Sequence, residues 1–156
     1  MEYKAMSVGF KKLHEDAVLP SFGNGDLRNA GIDFYAINSV TIKPKMYAIM
    51  DTGIAWDGLP LCTEYEKPVL IVQSRSGLAF NHGIEACNAG IIDAGYRGSI
   101  KVKLYNMSEV PYVINKGDRI AQGIVYMLPN IVPVEIEEFK PYVSERGEGG
   151  FGSTGS

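Results

Sequence analysis

Apolar residues in this chain recur at every second position over short runs. In "SIKVKLYN", Ser99 to Asn106, Ile100, Val102 and Leu104 alternate with Lys101, Lys103 and Tyr105. Successive side chains of a strand point to opposite faces, so this run reads as a half-buried strand. "VPVEIEEF", residues 132–139, alternates in the same way, with Val132, Val134 and Ile136 opposed to Glu135 and Glu137. "VTIKP", "MYAIMDTGIAW", "PVLIVQS" and "RIAQGIVYML" add further strands, each bounded by Gly, Pro, Asn or Asp. Only "SGLAFNHG", Ser76 to Gly83, has helical character. With 156 residues and 46% hydrophobic content the chain can bury one core. The expectation is one all-β domain, a barrel or sandwich with a single short helix.

The remaining composition narrows the classes. A formal charge of −3, with acids and bases mixed along the chain, provides no basic footprint for duplex nucleic acid or an anionic membrane. Cys62 and Cys87, with only His14 and His82 to join them, make neither a metal-site spacing nor a disulfide framework. A reduced, cytoplasmic protein is expected. No apolar run approaches the roughly 20 residues of a membrane span, and "MEYKAMSVGF" lacks the apolar segment of a signal peptide.

Four stretches place polar residues and glycines where a plain β-domain has no need of them. In "AGIDFYA", Asp33 stands among apolar residues, and a carboxylate there must be paired, hydrated or near a metal. "SRSGLAF" sets Arg75, Ser76 and Gly77 at the start of the helix, where free amides, a hydroxyl and a guanidinium favour an anion. "NAGIIDAGYRG" reads as a glycine-shouldered hairpin carrying Asp93, Tyr96 and Arg97, and "KGDRIAQ" as a turn, with Gly117 and Asp118, entering a strand that bears Gln122. The chain closes on "ERGEGGFGSTGS", Glu145 to Ser156, with five glycines in twelve residues. It cannot bury enough apolar surface to order itself, yet Arg146, Ser153, Thr154 and the glycine amides suit an anion.

In this order, "AGIDFYA", "SRSGLAF", "GIIDAGYRG", "GDRIAQ" and "RGEGGFGSTG" resemble the five motifs of the trimeric dUTP diphosphatases, the dUTPases. The resemblance implies a distorted jelly-roll-like β-barrel over 1–144 and a flexible arm, 145–156, that closes over a site. It implies a homotrimer with active sites between subunits and Mg²⁺-assisted hydrolysis of dUTP to dUMP and pyrophosphate. That reaction limits uracil incorporation into DNA and supplies dUMP for thymidylate synthesis.

Residue by residue, the resemblance makes Asp93 the carboxylate that contacts the sugar hydroxyl and orients or deprotonates the attacking water. Tyr96 packs on the deoxyribose and leaves no room for a 2′-hydroxyl. Backbone groups around Gly90 and Ile92, with Asn88, read the uracil edge. Arg75, Ser76, Gly77 and Gln122 contact phosphates. Asp33 and Gln122 act on Mg²⁺ through waters, with no direct protein ligand to the metal. Arg146, Phe151, Gly152, Ser153 and Thr154 form the closing arm.

The chain departs from the family pattern at two points. "WDGLPLCTEYEKPVLIVQ", Trp56 to Gln73, is longer than usual, which is expected to lengthen a hairpin or alter a trimer surface. Ser74 stands where the family has a proline before the arginine, a change expected to loosen the local backbone. His82 reads as structural. Two other functions fit the fold: a dCTP deaminase, for which "GIIDAGYRG" lacks the proton-moving glutamate, and a nucleotide-gated regulator of a protein partner.

Overall fold

The computed structural model describes residues 5–87 and 90–139. The strands, in chain order, are β1 (Gly9–Lys12), β2 (Ser21–Phe22), β3 (Ile32–Tyr35), β4 (Val40–Ile42), β5 (Tyr47–Asp51), β6 (Ile54–Asp57) and β7 (Glu66–Gln73). After the helix α1 (Ser76–His82) come β8 (Ile84–Ala86), β9 (Ile91–Asp93), β10 (Lys101–Asn106), β11 (Tyr112–Ile114) and β12 (Arg119–Pro129). The largest sheet runs β2-β3-β12-β7-β9; β5-β10-β8, β1-β6 and β11-β4 complete the fold. The all-β architecture with one short helix is as expected. Its distortion is visible in the division into four sheets, none of which closes on itself among the described residues.

One core serves all four sheets. Phe34, Ile54, Trp56, Leu70, Ile100, Leu104 and Ile120 are essentially inaccessible to water. In β10 the predicted alternation is realised: Val102, Leu104 and Asn106 are buried and the residues between them are not. Asn106 is a polar residue on that inner face, and its hydrogen-bonding capacity is met. Its amide nitrogen donates to the carbonyls of Ile42 (3.0 Å) and Val110 (2.8 Å), and its oxygen accepts the Ser108 amide (2.9 Å). At the helix C-terminus, Gly83 caps α1 at φ 64°, a left-handed geometry that glycine adopts without a Cβ clash. The His82 ring packs on Tyr112 with centroids 4.8 Å apart. Burial, helped by the charge of Asp118, pushes the Tyr112 phenol above its ordinary pKa.

Four expectations change. "MYAIMDTGIAW" is two strands: β5 pairs β10 and β6 pairs β1, with the chain crossing between sheets at Thr52 and Gly53. Among the described residues the segment through Asp93 forms no hairpin: β9 pairs antiparallel with β7 and the chain then leaves for another sheet, where the Ile100 amide bonds the Ile54 carbonyl (2.8 Å). Residues 131–139 form no strand and are exposed throughout, since alternation makes a strand only where an edge offers hydrogen bonds. The long Trp56 to Gln73 stretch extends a ladder rather than a hairpin. After a 3₁₀ turn at Leu59–Leu61, β7 pairs β12 from Glu66↔Pro129 to Gln73↔Gln122.

That ladder presses Gly123 against the core. A Cβ there meets Phe34 Cε2 at 2.6 Å and Leu70 Cδ1 at 2.8 Å, and both of these side chains are fully buried. Gly123→Ala is therefore expected to destabilise the fold by about 1–3 kcal/mol through overpacking, read as a lower urea midpoint with an unchanged slope. A midpoint equal to the wild type's would show that the two side chains yield freely.

Candidate functional site

Asp33 sits on β3 with its side chain only 10% exposed, which demands a partner. It has two. Arg75 Nε donates to one carboxylate oxygen at 2.8 Å and Arg119 Nη1 to the other at 3.2 Å. Arg75, at the turn from β7 into α1, also donates to the Arg119 carbonyl (3.3 Å). Arg119 is a residue the sequence reading passed over. Arg119 and Gln122 are three apart on β12, so strict alternation would set them on opposite faces. The register slips between Arg119 and Ala121, and this bulge turns Arg119 to the side on which Gln122 faces Asp33.

Together Asp33, Arg75, Arg119, Gln122, Ser76 and Gly77 line a cleft of about 340 Å³. Two guanidiniums against one carboxylate leave it net positive, which suits a polyanion. Two glycines shape it. A Cβ at Gly31 would come within 2.8 Å of the Gln122 amide oxygen and 3.2 Å of its Cβ, so a side chain there would displace Gln122. At Gly77 a Cβ would meet nothing within 4 Å, so the chain itself gives no reason for the glycine, and the space above the helix start is open to a ligand. The loop walling the cleft is pinned by the Asn29 amide on the Gly23 carbonyl (2.8 Å) and by Asp26, whose pKa is held down by hydrogen bonds from Arg28.

Ser74 does not loosen its surroundings. Its hydroxyl oxygen accepts the Ala86 amide at 2.8 Å, and its carbonyl accepts the Gln122 side-chain amide at 3.0 Å. A serine here adds a bond that proline cannot make.

A second hollow, of about 280 Å³, is lined by Ile91, Ile92, Asp93, Tyr96 and Ser99. Asp93 ends β9 with its carboxylate exposed, while its carbonyl takes the Trp56 indole N–H (3.0 Å) and the Tyr96 amide (3.0 Å). Trp56, another residue the sequence reading gave no role, is buried and thus fixes Asp93 from the core. Its signal was plain: it is the only tryptophan. Tyr96 lies over Gly98, donates its hydroxyl to the Ser99 carbonyl (3.2 Å) and is 45% exposed as a residue, beside Asp93 in the same hollow. Gly90 is buried at φ 66°, and its carbonyl accepts the Val72 amide at 2.7 Å.

The cleft and the hollow share no residue. Asn88, Arg146, Phe151, Gly152, Ser153 and Thr154 lie outside the described residues. Among the described residues no three His, Cys, Asp or Glu side chains group to hold a metal. The cleft's donor set is the Asp33 carboxylate and the Gln122 amide oxygen. Hard oxygens of this kind fit a hydrated Mg²⁺, and an arginine on each carboxylate oxygen leaves further lone pairs for its waters.

A family model for dUTPase matches residues 20–155. The chain belongs to the dUTPase family. Among curated relatives, the deoxyuridine 5′-triphosphate nucleotidohydrolase of Clostridium kluyveri is 40% identical over 153 residues, covering 97% of this chain and 99% of that one. That of Clostridioides difficile is 42% identical over 147 residues, covering 93% and 95%. Among solved structures, a dUTPase of Staphylococcus bacteriophage 80alpha with dUpNHpp superposes with a TM-score of 0.82 at 27% identity, covering 97% of this chain and all of that one. No described helix of this dUTPase-family chain is long and apolar enough to cross a membrane.

The ion triad should govern stability as well as the cleft. Asp33→Ala leaves Arg75 and Arg119 facing each other unpaired, and is expected to cost about 3 kcal/mol in urea unfolding at fixed protein concentration. Adding Arg119→Ala should recover part of that loss, a coupling of at least about 0.5 kcal/mol in a double-mutant cycle. Strict additivity would show that Arg119 does not act through Asp33.

Proposed function

We propose that the protein is a Mg²⁺-dependent dUTP diphosphatase that releases dUMP and pyrophosphate, built as a homotrimer in which each site joins the cleft of one copy to the hollow of another. The observation that carries this reading is the distance between two complementary half-sites on one chain. Asp33, Gln122 and Gln73 lie in one row across β3, β12 and β7, whereas Asp93 on β9 faces Val69, four residues back along β7. Four residues along and three strand spacings across separate the two by roughly 20 Å. A general base must reach the attacking water directly or through one more water. Asp93 and the Asp33–Arg75 cleft of one copy are too far apart to serve one phosphorus, and a symmetric assembly brings the halves together from two copies. The exposed apolar side chains at Ile131, Val132, Val134, Ile136 and Phe139 support assembly too.

In this reading the uracil lies along the backbone of Gly90 and Ile92, with Asn88, and the deoxyribose stacks on Tyr96. Asp93 accepts a proton from a water whose oxygen bonds to the α-phosphorus. The bond from that phosphorus to the bridging oxygen of the β-phosphate breaks, and pyrophosphate leaves with the electron pair. Arg75, Ser76, Gly77 and Gln122 hold phosphate oxygens in line for that displacement. Asp33 and Gln122 would hold the waters of a Mg²⁺ ion, which would supply charge neutralisation to the phosphates. The arm 145–156 closes the site, with Arg146 on the terminal phosphate, Phe151 on the base and Gly152, Ser153 and Thr154 on phosphate oxygens.

The test is pyrophosphate release from dUTP with Mg²⁺. The wild type is expected to turn over, and Asp93→Asn to bind dUMP as well while losing at least about 100-fold in kcat, the scale of a missing general base. A wild type that releases no pyrophosphate overturns the function; a variant with near-normal kcat removes Asp93 from the chemistry.

A further inference from the structure

We infer that Arg97 is a positioning residue that holds the turn bearing Tyr96 by standing in for a backbone amide on the open edge of β6. The inference rests on the diphosphatase reading above for what Tyr96 meets, a deoxyribose, and on hydrogen bonds for the rest. β6 pairs with β1 along one edge. Along the other edge residues 94–100 run antiparallel to it: the Ile100 amide takes the Ile54 carbonyl at 2.8 Å, and the Gly58 amide takes the Ala94 carbonyl at 3.3 Å. Backbone groups two residues apart leave a strand on the same side, so the Trp56 carbonyl emerges on that edge midway between these two bonds. Among the described residues no backbone amide meets it there, because residues 95–98 have left the edge to form the turn. Arg97 meets it instead: its Nη1 donates to the Trp56 carbonyl at 3.1 Å and to the Ala94 carbonyl at 3.2 Å.

The turn has little else to hold it. The Tyr96 amide bonds the Asp93 carbonyl (3.0 Å) and the Tyr96 hydroxyl the Ser99 carbonyl (3.2 Å), both local bonds. Gly95 and Gly98 flank the Tyr96–Arg97 pair, and a Cβ at Gly98 would meet Tyr96 Cζ at 2.6 Å, so the ring lies directly on its own turn. Among the described residues, every hydrogen bond that joins 95–98 to β6 is made by Arg97, to the Trp56 carbonyl and, through Nη2, to the Asp57 carboxylate at 2.7 Å. Arg97 and Asp57 are both half exposed, and an ion pair so wet contributes little by itself. The bond to Trp56 differs, because Trp56 is buried and an acceptor left unpaired there is costly. Trp56 is thus gripped twice by the same turn, its indole N–H by the Asp93 carbonyl and its own carbonyl by Arg97.

The consequence falls on discrimination between sugars. A ring excludes a 2′-hydroxyl only while it stands still, and steric exclusion relaxes once the platform can move aside. Arg97→Met, which keeps much of the side chain's length and removes its donors, is expected to weaken dUMP binding roughly three- to tenfold, the range of one lost hydrogen bond, and to leave UMP binding nearly unchanged. The preference for dUMP over UMP shrinks by that factor. Arg97→Gln, shorter and uncharged but with an N–H donor, should retain more of the preference than Arg97→Met. Asp57→Asn removes the ion pair alone and should leave the preference within about twofold of the wild type's.

The experiment combines calorimetric binding of dUMP and UMP with amide hydrogen exchange at Tyr96 and Ile100 in the nucleotide-free protein. In Arg97→Met the Tyr96 amide should exchange several-fold faster, the Ile100 amide should keep its rate, and the preference for dUMP should fall. Unchanged Tyr96 exchange overturns the fastening. Faster exchange with an intact preference overturns the positioning role. An equal loss of preference in Asp57→Asn, or a glutamine variant no better than methionine, overturns the stand-in for a backbone amide. Should Arg97→Met fail to fold, Arg97→Gln and Asp57→Asn decide between them: both lose the ion pair, and only the former should lose preference, whereas equal preferences overturn the inference. Failure of the diphosphatase reading appears in the wild type itself, as absent dUMP binding, whereas failure of this inference appears only on comparing the variants.

Discussion

The electropositive cleft depends on one buried carboxylate. Asp33 is placed by β3, between β2 and β12 in the five-stranded sheet, where leaving it unpaired would cost several kcal/mol. Two guanidiniums answer it, one from the turn before α1 and one from the bulged start of β12. The carboxylate thus draws together three segments far apart in sequence and fixes two cations that would otherwise sample many rotamers. The neutralisation is incomplete: two positive charges face one negative in a cleft that Gly77 also lines. The arrangement keeps the cleft folded without a ligand and still electropositive toward one.

The rest of the functional account follows from the geometry of the sheet. Residues in one row across a sheet are neighbours, and residues several rows and strands away are not, whatever their order in the chain. Asp93 is fixed from the core by Trp56, and the cleft by Asp33, so neither half-site can travel to the other without dismantling buried contacts. A site that needs both must draw on two copies. The apolar surface left on 131–139, together with β5, an edge strand among the described residues, is what a chain built to assemble would leave uncovered.

Much of this was legible in the sequence, and the failures have a common cause. Period-two alternation located β10, apolar runs bounded by turn residues located β7 and β12, and the lone Asp33 in an apolar run announced a carboxylate that must be paired, hydrated or near a metal. Alternation does not say which strand is the partner. It therefore merged β5 with β6 across Gly53, made a hairpin of a segment whose partner is β7, and gave 131–139 a strand it cannot complete alone. Arg119 was missed because strict alternation puts it on the wrong face, and only a bulge corrects that. Ser74 was read by contrast with proline, as a loss of rigidity; its hydroxyl bond to Ala86 depends on an edge strand that no local pattern reveals.

The central claim is that each site is made from two copies, and subunit mixing tests it directly. Asp93→Asn and Arg75→Ala chains, the latter with Asp33 still paired to Arg119, are unfolded and refolded together in equal amounts, and pyrophosphate release from dUTP is measured. If cleft and hollow come from different copies, the two intact halves meet by chance in about one quarter of the sites, and the mixture recovers about that share of wild-type activity. If one copy supplies both halves, every site carries a defect and the mixture stays as inactive as either variant alone.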